Sequence, residues 1–153
     1  MPEIGDLAPD FTLPDQDKRP VTLSSLRGAP VLLVFYPLAF SPVCTGEMCA
    51  IRDDWSEFER RGVRVLGISV DSTHVLAAWR RDEGFAHDLL SDRWPTGEVA
   101  KLYGTWNEER GTADRATFLV DGDGVVRGVW RTVGPVARDM HAYLDGLDAL
   151  AKA

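Results

Sequence analysis

The chain has 153 residues, 44% of them hydrophobic, with 24 acidic against 17 basic side chains and a net charge of −7. The acidic balance argues against a nucleic-acid partner, which calls for a basic face, and the apolar fraction excludes a disordered chain. The length fits a single domain over 1–153. No apolar run approaches the roughly 20 residues that span a bilayer, so no membrane partner is expected. Met1-Pro2-Glu3-Ile4-Gly5-Asp6 lacks the basic and apolar regions of a signal peptide. The expected location is therefore cytoplasmic. Both cysteines, Cys44 and Cys49, lie close together. In a reducing compartment such a pair suggests redox chemistry more than a structural staple. His74, His87 and His141 are scattered and no Cys-x-x-Cys occurs, so neither a metal site nor a cofactor is expected. The three histidines read as surface or structural residues.

Residues 1–30 are punctuated by Pro9, Pro14, Pro20, Gly28 and Pro30, with short extended pieces at 11–13 and 21–23 around the turn Asp15-Gln16-Asp17. Ser24 to Gly28 reads as a single turn. Val31 to Tyr36 is a buried strand, and 43–61 a helix with Met48, Ile51, Trp55 and Phe58 on one face. A second buried strand covers 63–70. Asp71-Ser72 then caps a helix over 73–83, with Val75, Leu76 and Trp79 on one face and Gly84 as its stop. Leu89 to Asp92 is a short strand or turn, and Gly97 to Tyr103 a short helix. Strands at 116–120 and 125–130 flank Asp121-Gly122-Asp123-Gly124, a hairpin signal because such turns need glycine at positive φ. Residues 135–151 read as a closing helix with Met140, Tyr143, Leu144, Leu147 and Leu150 inward. Strand, helix, strand, helix, hairpin, helix gives parallel first units with an antiparallel addition. That order predicts an α/β sandwich of the thioredoxin kind, with a mixed sheet flanked by helices.

The chemistry centres on Phe35-Tyr36-Pro37-Leu38-Ala39-Phe40-Ser41-Pro42-Val43-Cys44. A strand ends there and a helix begins. Pro42 suits the first helical turn, and Ser41 can cap it. Cys44 then falls in that turn, where free N–H groups and the positive dipole end favour a thiolate. A buried, inert thiol is the alternative. Taken alone, Ser41 is a cap, Pro37 a strand terminator, Glu47 a first-turn acid and Arg115 a surface ion-pair partner.

Pro37, Ser41 and Cys44 meet the pattern Pro-x-x-x-Thr/Ser-x-x-Cys. With Ala8-Pro9-Asp10-Phe11-Thr12-Leu13 and Arg115-Ala116-Thr117-Phe118-Leu119-Val120-Asp121, nearly the whole chain resembles the peroxiredoxins. Residues 35–40 and Ser91-Asp92-Arg93-Trp94-Pro95 look most like the one-cysteine E-type alkyl hydroperoxide reductases. The resemblance implies a thiol-dependent peroxidase acting on hydrogen peroxide, organic hydroperoxides and peroxynitrite. It implies Cys44 as the peroxidatic cysteine, Ser41 in the usual threonine position, Pro37 shielding the pocket and Arg115 beside the thiolate. Glu47 fits a position that orients the arginine. It also implies a reducing partner such as thioredoxin, a mycoredoxin-like protein or a low-molecular-weight thiol, and a homodimer with Phe40 and Trp94 at its face. Cys49 departs from the E-type group. Its spacing from Cys44 matches the resolving cysteine of the Q-type, bacterioferritin-comigratory peroxiredoxins. Three outcomes stay open: resolution by Cys49, resolution by an external thiol, and a non-enzymatic redox sensor.

Overall fold

The computed structural model describes residues 1–152. The chain opens with an antiparallel hairpin of β1 (Thr12–Pro14) and β2 (Pro20–Thr22). Asp15 closes its turn by accepting from the backbone N–H groups of Asp17 and Arg19, at 2.8 and 3.0 Å. There follow β3 (Val31–Phe35), α1 (Pro42–Asp53), α2 (Trp55–Arg60), β4 (Arg64–Ser69), α3 (Thr73–Glu83) and β5 (Asp88–Ser91). Next come α4 (Glu98–Leu102), the short pair β6 (Trp106–Asn107) and β7 (Thr112–Ala113), the hairpin β8 (Ala116–Val120) and β9 (Val126–Arg131), and α5 (Met140–Ala151).

Five strands form the central sheet in the order β5–β4–β3–β8–β9. β3, β4 and β5 run parallel, while β8 is antiparallel to both β3 and β9. Every residue of β3 and of β8 is buried, as central strands require when both faces are covered. Alternate side chains of β3 serve opposite faces. Leu32 and Val34 pack with Met48, Ile51, Phe58, Leu76, Trp79, Tyr143 and Leu147 from α1, α2, α3 and α5. Leu33 and Phe35 pack with Phe11, Leu13, Val21, Val99 and Tyr103 on the other face. Each large apolar side chain so buried contributes roughly 1.5–3 kcal/mol. The architecture is the thioredoxin-like α/β sandwich that the element order predicts. No helix among the described residues is long and apolar enough to cross a membrane.

The structure corrects several sequence expectations. The helix expected over 43–61 is two helices, because Asp54 leaves helical geometry at φ −105°, ψ 23° and serves as the end of α1 and the start of α2. The closing helix begins at Met140 rather than 135, with the Asp139 carboxylate accepting from the His141 N–H at 2.9 Å. Gly134 and Pro135 precede this start, and neither favours a helix interior. Val75 is exposed, so only Leu76 and Trp79 anchor α3. Of the inward residues expected on α5, Leu150 is only partly buried. The β6–β7 pair has no counterpart in the sequence reading.

His87 is buried, and among the described residues neither ring nitrogen has a hydrogen-bond partner. Burial first, and the nearby Arg80 charge second, push its pKa from 6.5 down to about 4. The unfolded chain therefore takes up a proton below about 6.5 that the folded chain refuses until about 4. Stability should fall as pH drops through that window, by about 3 kcal/mol in all and about 2 kcal/mol by pH 5. Urea unfolding at pH 7 and pH 5 checks this. Wild type should lose about 2 kcal/mol more than His87→Phe between the two pH values. Equal losses would show that His87 is not the acid-sensitive group.

Candidate active site

Tyr36 extends β3 by one more backbone bond, to the carbonyl of Ile68, and the chain then turns through 37–41 into α1. Asp71, just past β4, holds this turn. Its Oδ2 accepts from the Ala39 N–H at 2.8 Å and from the Ser69 hydroxyl at 2.7 Å. Phe40 lies at φ +67°, a left-handed conformation that bulky side chains rarely adopt. Its ring rests on that of Trp79, with centroids 6.1 Å apart. Ser41 is the N-cap residue and Pro42 the first residue of α1. The Ser41 hydroxyl, however, donates to the Leu38 carbonyl at 2.8 Å and does not cap the helix. It braces the turn instead.

Cys44 is thereby the third residue of α1, with its side chain fully buried. Arg115, between β7 and β8, brings Nη1 to 3.6 Å from the Cys44 Sγ. Arg115 itself is only 7% exposed. Among the described residues its side chain makes no other hydrogen bond, and its Nε is buried without a partner. That Nε lies 3.8 Å from Oε1 of Glu47, too far for a hydrogen bond and close enough for electrostatic attraction.

Glu47 sits one helical turn after Cys44, so both point the same way. Its strongest contacts are with Arg138, which the sequence reading did not single out. Glu47 accepts from the Arg138 backbone N–H and Nε at 2.8 Å each, and from Nη2 at 3.0 Å. Arg138 Nη1 also donates to the Phe35 carbonyl at 2.6 Å and to the Thr117 hydroxyl at 3.1 Å. The end of β3, the start of α1, β8 and the loop before α5 are thus joined through one buried ion pair. Arg138 lies in the segment expected to be helix, where nothing in the spacing marks it.

Pro37 and Arg115 line a recess of about 430 Å³ that also takes in Arg110, Arg131 and Thr132. Cys49 lies elsewhere, half-buried toward α3, with Sγ 3.5 Å from Oε2 of Glu83. Burial, and then the hydrogen bond to Glu83, push its thiol pKa up. Both cysteines stand on the same unbroken helix. Five residues of α-helix advance about 7.5 Å and turn about 500°, which leaves Cα atoms more than 8 Å apart by that geometry. A disulfide needs about 4.4–6.8 Å.

The chain as a whole is similar to known proteins. The AhpC/TSA family model matches residues 4–129. Alkyl hydroperoxide reductase E of Mycobacterium tuberculosis is 44% identical over 151 residues, covering 98% of this chain and 99% of the relative. Peroxiredoxin Bcp of Escherichia coli is 40% identical over 134 residues, covering 84% and 85%. The crystal structure of peroxidoxin BcpB from M. tuberculosis superposes with a TM-score of 0.88 at 36% identity, over 98% of this chain and 99% of that one. By these similarities the chain belongs to the AhpC/TSA family and is a peroxiredoxin, a thiol-dependent peroxidase.

Proposed function

We propose that Cys44 is the peroxidatic nucleophile, and that Arg115, Ser41, Pro37 and Glu47 build the site around it. The observation that carries this is the 3.6 Å approach of Arg115 Nη1 to a fully buried sulfur in the first turn of α1. The thiolate attacks the distal oxygen of a hydroperoxide. An S–O bond forms, the O–O bond breaks, and alkoxide or hydroxide leaves with the electron pair and takes up a proton. Cys44 becomes a sulfenic acid. Arg115 holds both oxygens as charge moves from one to the other. The Ser41 hydroxyl and Pro37 hold the turn and wall the site. Hydrogen peroxide, organic hydroperoxides and peroxynitrite are substrates in this reading. The enzyme works in the reducing cytoplasm.

Cys49 then attacks the Cys44 sulfur, forming the disulfide and expelling water. A dithiol such as thioredoxin or a mycoredoxin-like protein, or a low-molecular-weight thiol, reduces it again. The first turns of α1 must unwind for this. Gly46 eases the opening, since glycine disfavours helix by about 1 kcal/mol relative to alanine. A Cβ at Gly46 would meet nothing within 4 Å, so Gly46→Ala stiffens the turn without a clash. Disulfide closure should slow about fivefold in that variant. Intact mass and thiol counting after one equivalent of peroxide test the whole scheme. Wild type should lose two thiols and two hydrogens, Cys49→Ser should stop at the Cys44 sulfenic acid, and Cys44→Ser should consume no peroxide. The raised Cys49 pKa and its bond to Glu83 favour the other outcome, resolution by an external thiol. Wild type retaining a titratable Cys49 would establish that outcome.

A homodimer completes the reading. Leu38, Phe40, Val75 and Trp94 are apolar side chains left 45, 51, 37 and 89% exposed, and a second copy would cover Phe40 and Trp94. Sedimentation should show wild type as a dimer and Trp94→Glu shifted toward monomer. A wild type that is monomeric at every concentration and redox state excludes it.

A further inference from the structure

We propose that Arg110 and Arg131 form an outer subsite for a carboxylate, and that the preferred organic hydroperoxides carry one. The inference rests on the peroxidase reading and concerns the same recess. That recess runs from Pro37 and Arg115 out to Arg110 and Arg131. Its volume, about 430 Å³, is that of a small-molecule site and far more than hydrogen peroxide needs.

The charges in it are distinctive for so acidic a protein. Arg52, Arg60, Arg61, Arg64, Arg81 and Arg127 each reach a carboxylate. Among the described residues, the Arg110 side chain makes neither an ion pair nor a hydrogen bond. Arg131 touches only neutral groups, the Met1 sulfur and, at 3.4 Å, the Gly104 carbonyl. The one carboxylate in the lining, Asp114, already accepts from Asn107 Nδ2 at 3.1 Å. Two guanidinium groups without a carboxylate therefore face the recess outside the arginine that meets the thiol. With three guanidinium groups against the single Asp114 carboxylate, the recess is net positive, and a concave site of that kind concentrates anionic ligands. The guanidinium fork suits a carboxylate in particular. A hydroperoxide bearing a carboxylate would place its O–O bond at Cys44 and Arg115, and its charged end at Arg110 and Arg131. Chemistry at sulfur is unchanged. The alkoxide leaves with its carboxylate attached and is protonated to the hydroxy acid.

The test compares cumene hydroperoxide with its ring-carboxylated analogue, which differ only in that group. Second-order rate constants are measured by stopped flow at low and high salt. Wild type should favour the carboxylated compound about tenfold at low salt, with the ratio falling toward one as salt screens the charges. In Arg110→Gln/Arg131→Gln the ratio should fall to about one, and Arg110→Lys/Arg131→Lys should restore part of it. Arg110→Gln alone lies on the exposed β6–β7 turn and should show a smaller loss. A wild type that prefers the neutral compound at low salt, or a ratio untouched in the double variant, overturns the subsite and leaves the peroxidase reading standing. Consumption of neither compound while hydrogen peroxide is still reduced overturns this inference alone, and consumption of none of the three overturns the peroxidase reading with it.

Discussion

Arg115→Ala should lower the second-order rate constant for peroxide reduction a hundredfold to a thousandfold, or roughly 2.7–4 kcal/mol of transition-state stabilisation. The side chain lies 3.6 Å from the sulfur and is almost wholly buried. Its charge acts where water cannot screen it. Its loss leaves the breaking O–O bond without that charged donor. Arg115→Lys keeps the charge and loses the planar pair of donors, and its rate should fall between wild type and Ala. Stopped-flow measurement with excess hydrogen peroxide decides. A wild-type rate in the Ala variant would mean that this arginine does not reach the reacting oxygens.

Arg138→Ala should destabilise the protein by roughly 3–5 kcal/mol, because it leaves the buried Glu47 carboxylate without its main partner. The side chains of Arg138 and Glu47 are 1% and 0% exposed. Arg138 also satisfies the Phe35 carbonyl and the Thr117 hydroxyl, which the variant strands as well. A double variant, Glu47→Leu/Arg138→Met, removes both charges and should recover part of the stability, since apolar replacement of a buried pair is often neutral while the Phe35 carbonyl and the Thr117 hydroxyl stay stranded. It should not recover the rate, because Glu47 is also the anion 3.8 Å from Arg115 Nε. Urea unfolding and peroxide kinetics on the three proteins separate folding from positioning. Full activity in the double variant would reduce Glu47 to a structural role.

Local signals carried the fold a long way. The apolar runs at β3 and β4 needed no tertiary context. The bounds of α3 follow from two residues. Ser72 accepts from the Val75 N–H at 3.3 Å, and Gly84 ends the helix at φ +69°. The β8–β9 turn was legible because Gly124 takes φ +85°, as a turn of this kind requires. The break at Asp54 was not, since one polar residue inside a periodic run carries no phase change. β6 and β7, two residues each, are too short to show alternation. The site divides in the same way. The Pro37–Ser41–Cys44 spacing could be read directly, but Arg115 lies 71 positions away, and its place beside the sulfur came from family resemblance alone. Arg138 had neither signal. Its partner is 91 positions distant, and it sits in an irregular loop whose shape only tertiary contacts determine.

From Glu47 onward α1 is fastened to the rest of the fold, by Glu47 to Arg138 and by Cys49 and Arg52 to the end of α3, whereas among the described residues the turn before Gly46 is held by side chains only through Cys44 and Arg115. Arg52 Nη1 donates to the Glu83 carbonyl at 2.7 Å, and Cys49 meets the carboxylate of the same residue. Both tie the helix beyond Gly46 to the end of α3. If the two cysteines join, Cys44 is therefore the one that travels, and it must abandon Arg115 to do so. Capture of peroxide and closure of the disulfide become mutually exclusive postures of one sulfur. The sulfenic acid then has a waiting time, set by how often the helix start lets go. A second peroxide arriving within it drives the sulfur on to the sulfinic acid, which a simple thiol cannot reverse. The firmness of a few backbone bonds around Gly46 would thus set the peroxide concentration at which the enzyme stops cycling.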